Sequence, residues 1–220
     1  TAGSRVKPAE PVENRAGLSL MSFFTDRHVF LFFMMIIIPL AVCSMFMDYF
    51  FPLYGASIDL SSSNIGRGFL LYGLCVIYLG PILSGYLEKR LGAKSGTAIS
   101  AGIICLALLL FASQGTLLTA LFAILLLGLA DSFGMVAQNN YFLTLPAAQR
   151  IGESTALAYF STVRRLGQMA GPFIFGGLAV WGQVTSVGLI GIAAAVMLGF
   201  FILLARGSRK GTEKTKSPTA

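Results

Sequence analysis

Charge is scarce in this chain, and its scarcity settles the class of protein before any motif is sought. Of 220 residues only 11% are charged and 55% are apolar, against roughly 25% and 45–50% in an ordinary soluble domain. Ser95–Leu127 and Leu166–Ala205 contain no charged side chain at all. Each exceeds the approximately 20 apolar residues with which a helix crosses about 30 Å of hydrocarbon. Three cysteines, Cys43, Cys75 and Cys105, sit in apolar segments at spacings that fit no metal or redox motif, and three cannot pair completely. They read as buried free thiols. The lone His28 stands at the polar entrance to the first apolar run and reads as an interfacial residue. There is no P-loop, no Rossmann glycine fingerprint, no paired metal ligands and no nucleophile beside a base, so no cofactor, metal or enzymatic activity is expected.

The first 28 residues have no basic stretch followed by a short apolar core and a cleavage site, so no secretory signal is read. A start at Thr1 rather than methionine suggests a segment of a longer polypeptide. Residues 1–15, TAGSRVKPAEPVENR, carry two prolines and mixed charge and are expected to be a flexible linker. Residues 16–26, AGLSLMSFFTD, place Leu18, Met21 and Phe24 or Leu20 and Phe24 on one side, as an amphipathic helix lying at the membrane interface would.

Run length then places six spans over residues 27–206, at about 27–54, 64–88, 94–113, 116–145, 150–180 and 183–206. Residues 207–220 form a basic tail. Threading six helices puts thirteen of the sixteen basic residues on one side: Arg5, Lys7, Arg15, Arg27, Lys89, Arg90, Lys94, Arg150, Arg206, Arg209, Lys210, Lys214 and Lys216. By the positive-inside rule both termini are cytoplasmic. The net charge of +7 is thus a topology signal and a contact with anionic lipid. Nucleic-acid binding would need these residues clustered on one folded surface.

A second regularity links the spans. Gly80-Pro81-Ile82-Leu83-Ser84-Gly85-Tyr86-Leu87 and Gly171-Pro172-Phe173-Ile174-Phe175-Gly176-Gly177-Leu178 share G-P-x-x-x-G-x-L, 91 residues apart. One copy lies in the second span and the other in the fifth, each the middle helix of a triplet, and the two triplets run in opposite directions. The fold class expected is therefore an all-α membrane protein of six transmembrane helices arranged as an inverted 3+3 repeat. The third and sixth spans hold no ionisable residue, whereas the others hold Asp48, Arg67, Asp131, Arg164 and Arg165. Spans three and six are expected at the lipid-facing periphery, with one, two, four and five around something polar.

These residues resemble the carboxyl-terminal six-helix half of a major facilitator superfamily transporter. The fifth span, QRIGESTALAYFSTVRRLGQMAGPFIFGGL, is similar to the family pattern of a basic residue and glycine before the helix followed by G-x-x-x-G-P-x-x-x-G-G, met by Gly167, Gly171, Pro172, Gly176 and Gly177. The loop GYLEKRLGAK is similar to the cytoplasmic signature G-x-L-x-D-R-x-G-R-K through Gly85, Leu87, Arg90, Gly92 and Lys94. Lys89 stands where the family has its aspartate, and Ala93 where it often has a basic residue. The segment before the first span is similar to the linker between the family's halves. The resemblance implies alternating access, in which two six-helix bundles rock around a site near the midplane. It implies as partners the lipid bilayer, a second six-helix half from the same polypeptide or another copy, and a small-molecule substrate with or without protons, and no nucleic acid.

A charge inside a span marks a functional site unless it is consumed by structure. Arg164 lies 11 residues beyond Glu153, roughly 17 Å into the membrane. Asp131 lies 14 residues before Leu145, roughly 21 Å in, at a similar depth on the preceding antiparallel helix. An Asp131–arginine pair is geometrically reasonable. Arg164 and Arg165 point about 100° apart, so pairing one frees the other to face a cavity and hold an anionic group, since a guanidinium presents a fixed fork to carboxylate or phosphate. Alternatively Asp131, glutamate or backbone carbonyls consume both. Asn139, Asn140 and Gln168 are further candidate substrate contacts, and Asp48, in a span broken by Pro39 and Pro52, is a candidate for binding a proton or a cationic group or else an interfacial residue. Gly80, Pro81, Gly85, Arg90, Gly92, Gly167, Gly171, Pro172 and Gly176 are assigned to helix packing and conformational change. The rival to a secondary transporter is a membrane sensor or anchor domain of a larger signalling protein.

Overall fold

The computed structural model describes residue 23 and residues 25–214, with side chains for all of these except 87, 88 and 205–214. The expected linker 1–15 and nearly all of the expected interfacial helix 16–26 lie outside the described residues. Every regular element among the described residues is helical. Five helices are long and apolar enough to cross a membrane: α1 Arg27–Ser57, α2 Ser62–Tyr86, α3 Lys89–Gln114, α4 Leu117–Leu143 and the Gln183–Leu204 part of the last helix. Between them come a short α5, Pro146–Ile151, and then α6, Glu153–Leu178. The last helix, α7, spans Gln183–Lys214 and so continues through the first residues of the expected tail. At about 1.5 Å per residue the 26 residues of α6 are also long enough to cross. Two adjacent arginines in its middle, Arg164 and Arg165, interrupt its apolar run.

Local chemistry sets the ends of these helices. Asp26 caps α1, its carboxylate accepting from His28 N at 2.9 Å and Val29 N at 3.4 Å. Thr116 and Thr119 close a reciprocal capping box at the start of α4. Four glycines, Gly92, Gly115, Gly152 and Gly182, take a positive φ, and two of them shape the first half of the bundle. Gly115 ends α3 in the left-handed region, its N–H reaching Phe111 O at 2.8 Å. Gly92, with φ 72° and ψ 161°, kinks the chain near the start of α3.

Three stretches of these spans are π-helical: Phe33–Ile37 and Phe46–Phe50 in α1, and Cys75–Leu79 in α2. Each is centred on the residue four before a proline, at Met35 for Pro39, Asp48 for Pro52 and Ile77 for Pro81. A proline has no N–H to donate to that residue's carbonyl, and its ring crowds the same group. The wider turn relieves both: Ile38 N–H bonds Phe33 O, and Phe51 N–H bonds Phe46 O, five residues back. α6 takes Pro172 without leaving the α-helical register.

The bundle is built around α1. In its most apolar stretch 67% is buried, against 50% in α3 and α4, 28% in α7 and 11% in α2. Burial does not follow charge content. α2, which carries Arg67, is the most exposed of these five, and α3, uncharged beyond Lys94, packs closely on α4. Small residues explain that packing: a Cβ on Gly96 would lie 3.0 Å from Ala137 Cβ, and one on Gly134 would lie 2.7 Å from Ser100 Cβ. α6 seats on α1 in the same way, a Cβ at Gly167 meeting Ala41 Cβ at 2.8 Å and one at Gly171 meeting Met45 Cβ at 2.8 Å.

Two aromatic clusters clamp the ends of α1. Near its start Phe33 and Phe160 each pack on Phe142 at 5.3 and 5.4 Å between ring centres, and Phe32 packs on Tyr141 at 5.2 Å. Toward its end Phe46, Phe50 and Tyr54 surround Phe111 at 5.3, 5.5 and 5.1 Å. Tyr54 Oη also donates to Gly115 O at 2.7 Å, tying α1 to the α3–α4 turn. These rings form core rather than a binding wall: Phe32, Phe33, Phe46, Phe50 and Phe51 are buried, and Phe30 is half exposed. Cys43 and Cys105 are buried free thiols, and Cys75 is half-buried.

Candidate functional site

Most buried hydroxyls in the bundle are satisfied by their own helices. Thr97, Ser100, Ser132 and Ser186 each donate to a carbonyl three or four residues earlier, the usual arrangement for Ser and Thr inside a helix. Gln138 is different. It is 2% exposed, and its Oε1 accepts from Nη1 of Arg164 on α6 at 3.2 Å. Two turns earlier on α4, Asp131 Oδ2 accepts from the Tyr72 hydroxyl of α2 at 2.7 Å. Asp48 of α1 and Arg164 both act electrostatically on this tyrosine–aspartate pair. Side chains of α1, α2, α4 and α6 thus form one polar layer inside an otherwise apolar bundle.

The expected Asp131–arginine pair takes an indirect form. Arg164 donates to the amide of Gln138, and Tyr72 occupies the carboxylate. The two arginines separate as helical geometry requires: Arg164 is half-buried and turned toward α4, whereas Arg165 is exposed. Asp48, at the centre of the second π stretch of α1, is exposed. Asn139 is half-buried, with its Oδ1 wholly buried and without a hydrogen-bond partner among the described residues. Asn140 and Gln168 are half-buried, Gln168 one turn beyond Arg164. Charged groups at this depth are costly unless they meet partners or water, and this layer supplies partners for Asp131 and Arg164 while leaving Asp48 and Arg165 open.

The residues assigned to packing are distributed along the bundle. Gly80 backs onto α4, where a Cβ would lie 3.2 Å from Ser132 O. A Cβ on Gly176 would be 3.8 Å from the Tyr49 hydroxyl, and Gly85 faces open space. The guanidinium of Arg90 sits over the Tyr86 ring, 5.3 Å from its centre. Pro172 is half-buried, one residue after the contact at Gly171.

Sequence reasoning missed Tyr72 and the role of Gln138. A tyrosine carried into a span needs a partner for its hydroxyl, which was the available signal for Tyr72. No signal chose Gln138 among the four consecutive polar residues Gln138, Asn139, Asn140 and Tyr141, because its selection depends on how α4 is rotated.

The sequence model of the Major Facilitator Superfamily matches residues 2–172, a stretch that takes in α1 to α5 and most of α6, with the whole polar layer. The chain belongs to the Major Facilitator Superfamily. With its apolar spans, membership makes it an integral membrane protein of a transporter family. No curated protein and no solved structure matches the chain. This superfamily member holds no group of three or more His, Cys, Asp or Glu placed to bind a metal ion among its described residues.

Proposed function

We propose that this chain is one six-helix half of a secondary transporter that moves a small solute by alternating access, with Arg165 holding an anionic group of the solute. The observation that carries the reading is the exposed face of α6. Ser154, Ser161, Thr162 and Arg165 are all exposed and recur along one side of a helix long enough to cross the membrane. Hydrocarbon does not tolerate an open guanidinium at that depth, so this side belongs against an aqueous cavity. Arg164, engaged with Gln138, serves packing and the field around Asp131, whereas Arg165 is the solute ligand. Asn139, with its unpartnered acceptor, and Asn140 and Gln168 complete the lining, and Asp48 and Asp131 are the sites for a coupled proton.

In this reading α1–α3 and α4, α6 and α7 are two inverted triplets, both termini are cytoplasmic, and a second six-helix half covers α2 and α6. The packing supports the inversion. α2, the middle helix of the first triplet, meets α4 through Gly80, and α6, the middle helix of the second, meets α1 through Gly171. Each middle helix therefore uses the first glycine of its G-P-x-x-x-G-x-L against the leading helix of the other triplet.

Uptake by the complete protein in proteoliposomes, with imposed pH gradients and a panel of organic and inorganic anions and cations, tests the proposal. It predicts gradient-driven uptake of an anion that Arg165→Ala abolishes in folded protein. Absence of flux for every solute and gradient would favour the sensor or anchor, and uptake unchanged in Arg165→Ala would remove that residue from the site.

A further inference from the structure

Along its middle α2 is held mainly by α4; near its start it seats on α1, where a Cβ on Gly68 would meet the Phe51 ring and one on Gly55 would meet Ile65. Only 11% of the most apolar stretch of α2 is buried, and its outer side presents Leu70, Ile77, Tyr78 and Ile82, all largely exposed. Against α4 it makes three close approaches. A Cβ on Gly128 would lie 2.8 Å from Cys75 Cβ and 3.2 Å from Tyr72 O, one on Gly80 would lie 3.2 Å from Ser132 O, and the Tyr72 hydroxyl donates to Asp131. The first two are shape contacts between backbone and small residues. The third is the polar one, and its acceptor is a carboxylate inside a membrane span.

We propose that Tyr72 is the positioning residue of the intramembrane charge layer: its hydroxyl fixes the Asp131 carboxylate and, through that bond, latches the thinly packed α2 onto α4. A hydrogen bond to a charged acceptor in a low-dielectric setting is stronger than one to a neutral group, and beside it the middle of α2 has only the shape contacts at Gly128 and Gly80 to hold it on α4. Tyr72 takes Oδ2, and Oδ1 of Asp131 meets no hydrogen-bond donor among the described residues, which leaves it for a proton or a solute donor. A group that binds Asp131 strongly enough to displace the tyrosine releases α2 at the same time, so occupancy of the acid and the seating of this helix are one event. The latch rests on the α2–α4 geometry and holds whether the bundle transports or senses.

The protein carries its own reporter. Cys75 lies one turn from Tyr72 on α2, half-buried against Gly128, whereas Cys43 and Cys105 are buried in the core. The experiment is the rate of alkylation by a membrane-permeant maleimide, read by mass spectrometry at each cysteine, with the complete chain in lipid vesicles. Tyr72→Phe and Asp131→Leu should each speed labelling of Cys75 about tenfold, the order of effect from losing one hydrogen bond to a charged group, while Cys43 and Cys105 stay protected. The double variant should be no faster than either single one, because both remove the same bond. Asp131→Asn, whose amide oxygen still accepts from Tyr72, should remain near the native rate. Native labelling in Tyr72→Phe, or a double variant whose effects add, would overturn the latch. If Tyr72→Phe exposes Cys43 and Cys105 and so has not folded, the Asp131→Leu and Asp131→Asn pair decides: fast and slow sustain the proposal, and equal rates overturn it.

Discussion

α2 and α6 carry the same eight-residue pattern and use it differently. Pro81 is preceded by a π-helical stretch, Cys75–Leu79, whereas Pro172 lies in an unbroken α-helix. The first glycine of each copy packs against another helix, Gly80 on the Ser132 carbonyl and Gly171 on the Met45 side chain. The exposed faces diverge before that glycine, where α2 turns out Leu70 and Ile77 and α6 turns out Ser161, Thr162 and Arg165 beside Leu166 and Met169; after it both are apolar, with Ile82 on α2 and Phe173 on α6. The motif therefore governs where a helix is seated, and the residues that precede it govern what the free face meets.

The largest effect that would break this comparison is at the α6 seat. Gly171→Leu should destabilise the bundle by about 1–3 kcal/mol or more, since the added side chain has only Met45 and the α1 backbone to displace. Thermal unfolding in detergent, followed by the loss of monodisperse protein, measures it. Next, Arg164→Met should cost about 1–3 kcal/mol by leaving the buried amide of Gln138 without its partner. Arg165→Met should leave the unfolding midpoint unchanged, so equal losses would show that the structure does not separate the two arginines.

Gly80→Ala should cost less than Gly171→Leu, about 1 kcal/mol, because a single methyl 3.2 Å from a carbonyl needs only a small shift. The same unfolding measurement would reverse the ranking of the two seats if it came out larger. The smallest effect expected is from Pro81→Ala, which restores the missing N–H and should let Cys75–Leu79 revert to α-helical bonding with little change in stability. Amide hydrogen exchange across 75–81 reads this directly. Pro172→Ala should leave the helical register of α6 as it is, and a register change there would remove the contrast between the two prolines.

Much of the bundle was legible in the sequence because membrane spans are announced by uncharged length. The expected 27–54, 64–88, 94–113, 116–145 and 183–206 lie within a few residues of α1 to α4 and of the apolar part of α7. The chain also breaks where glycine and proline suggest, at Gly92, Gly115 and the Pro146 turn. Rotation of the helices about their axes was not legible. Asp131 and Arg164 were placed at similar depths, but depth does not say which side chain faces which, and a tyrosine 59 positions away and an amide one helix over took the places assigned to a direct pair. Exposure was not legible from charge either: α3 is drawn inward by Gly96, Ser100 and Gly134, a matter of shape, and α2 is left outside although it carries Arg67.

By itself the sequence determined that this chain lives in a bilayer, how many long apolar runs it has, and that two arginines on one helix must point apart, because hydrophobic length and the 100° step of an α-helix are local properties. Only the tertiary structure decided that Arg164 turns to Gln138 while Arg165 stays open, and that Tyr72 meets Asp131. Those choices depend on which small residues let helices approach and at what rotation, and that is settled by all the contacts together rather than by any one stretch of chain.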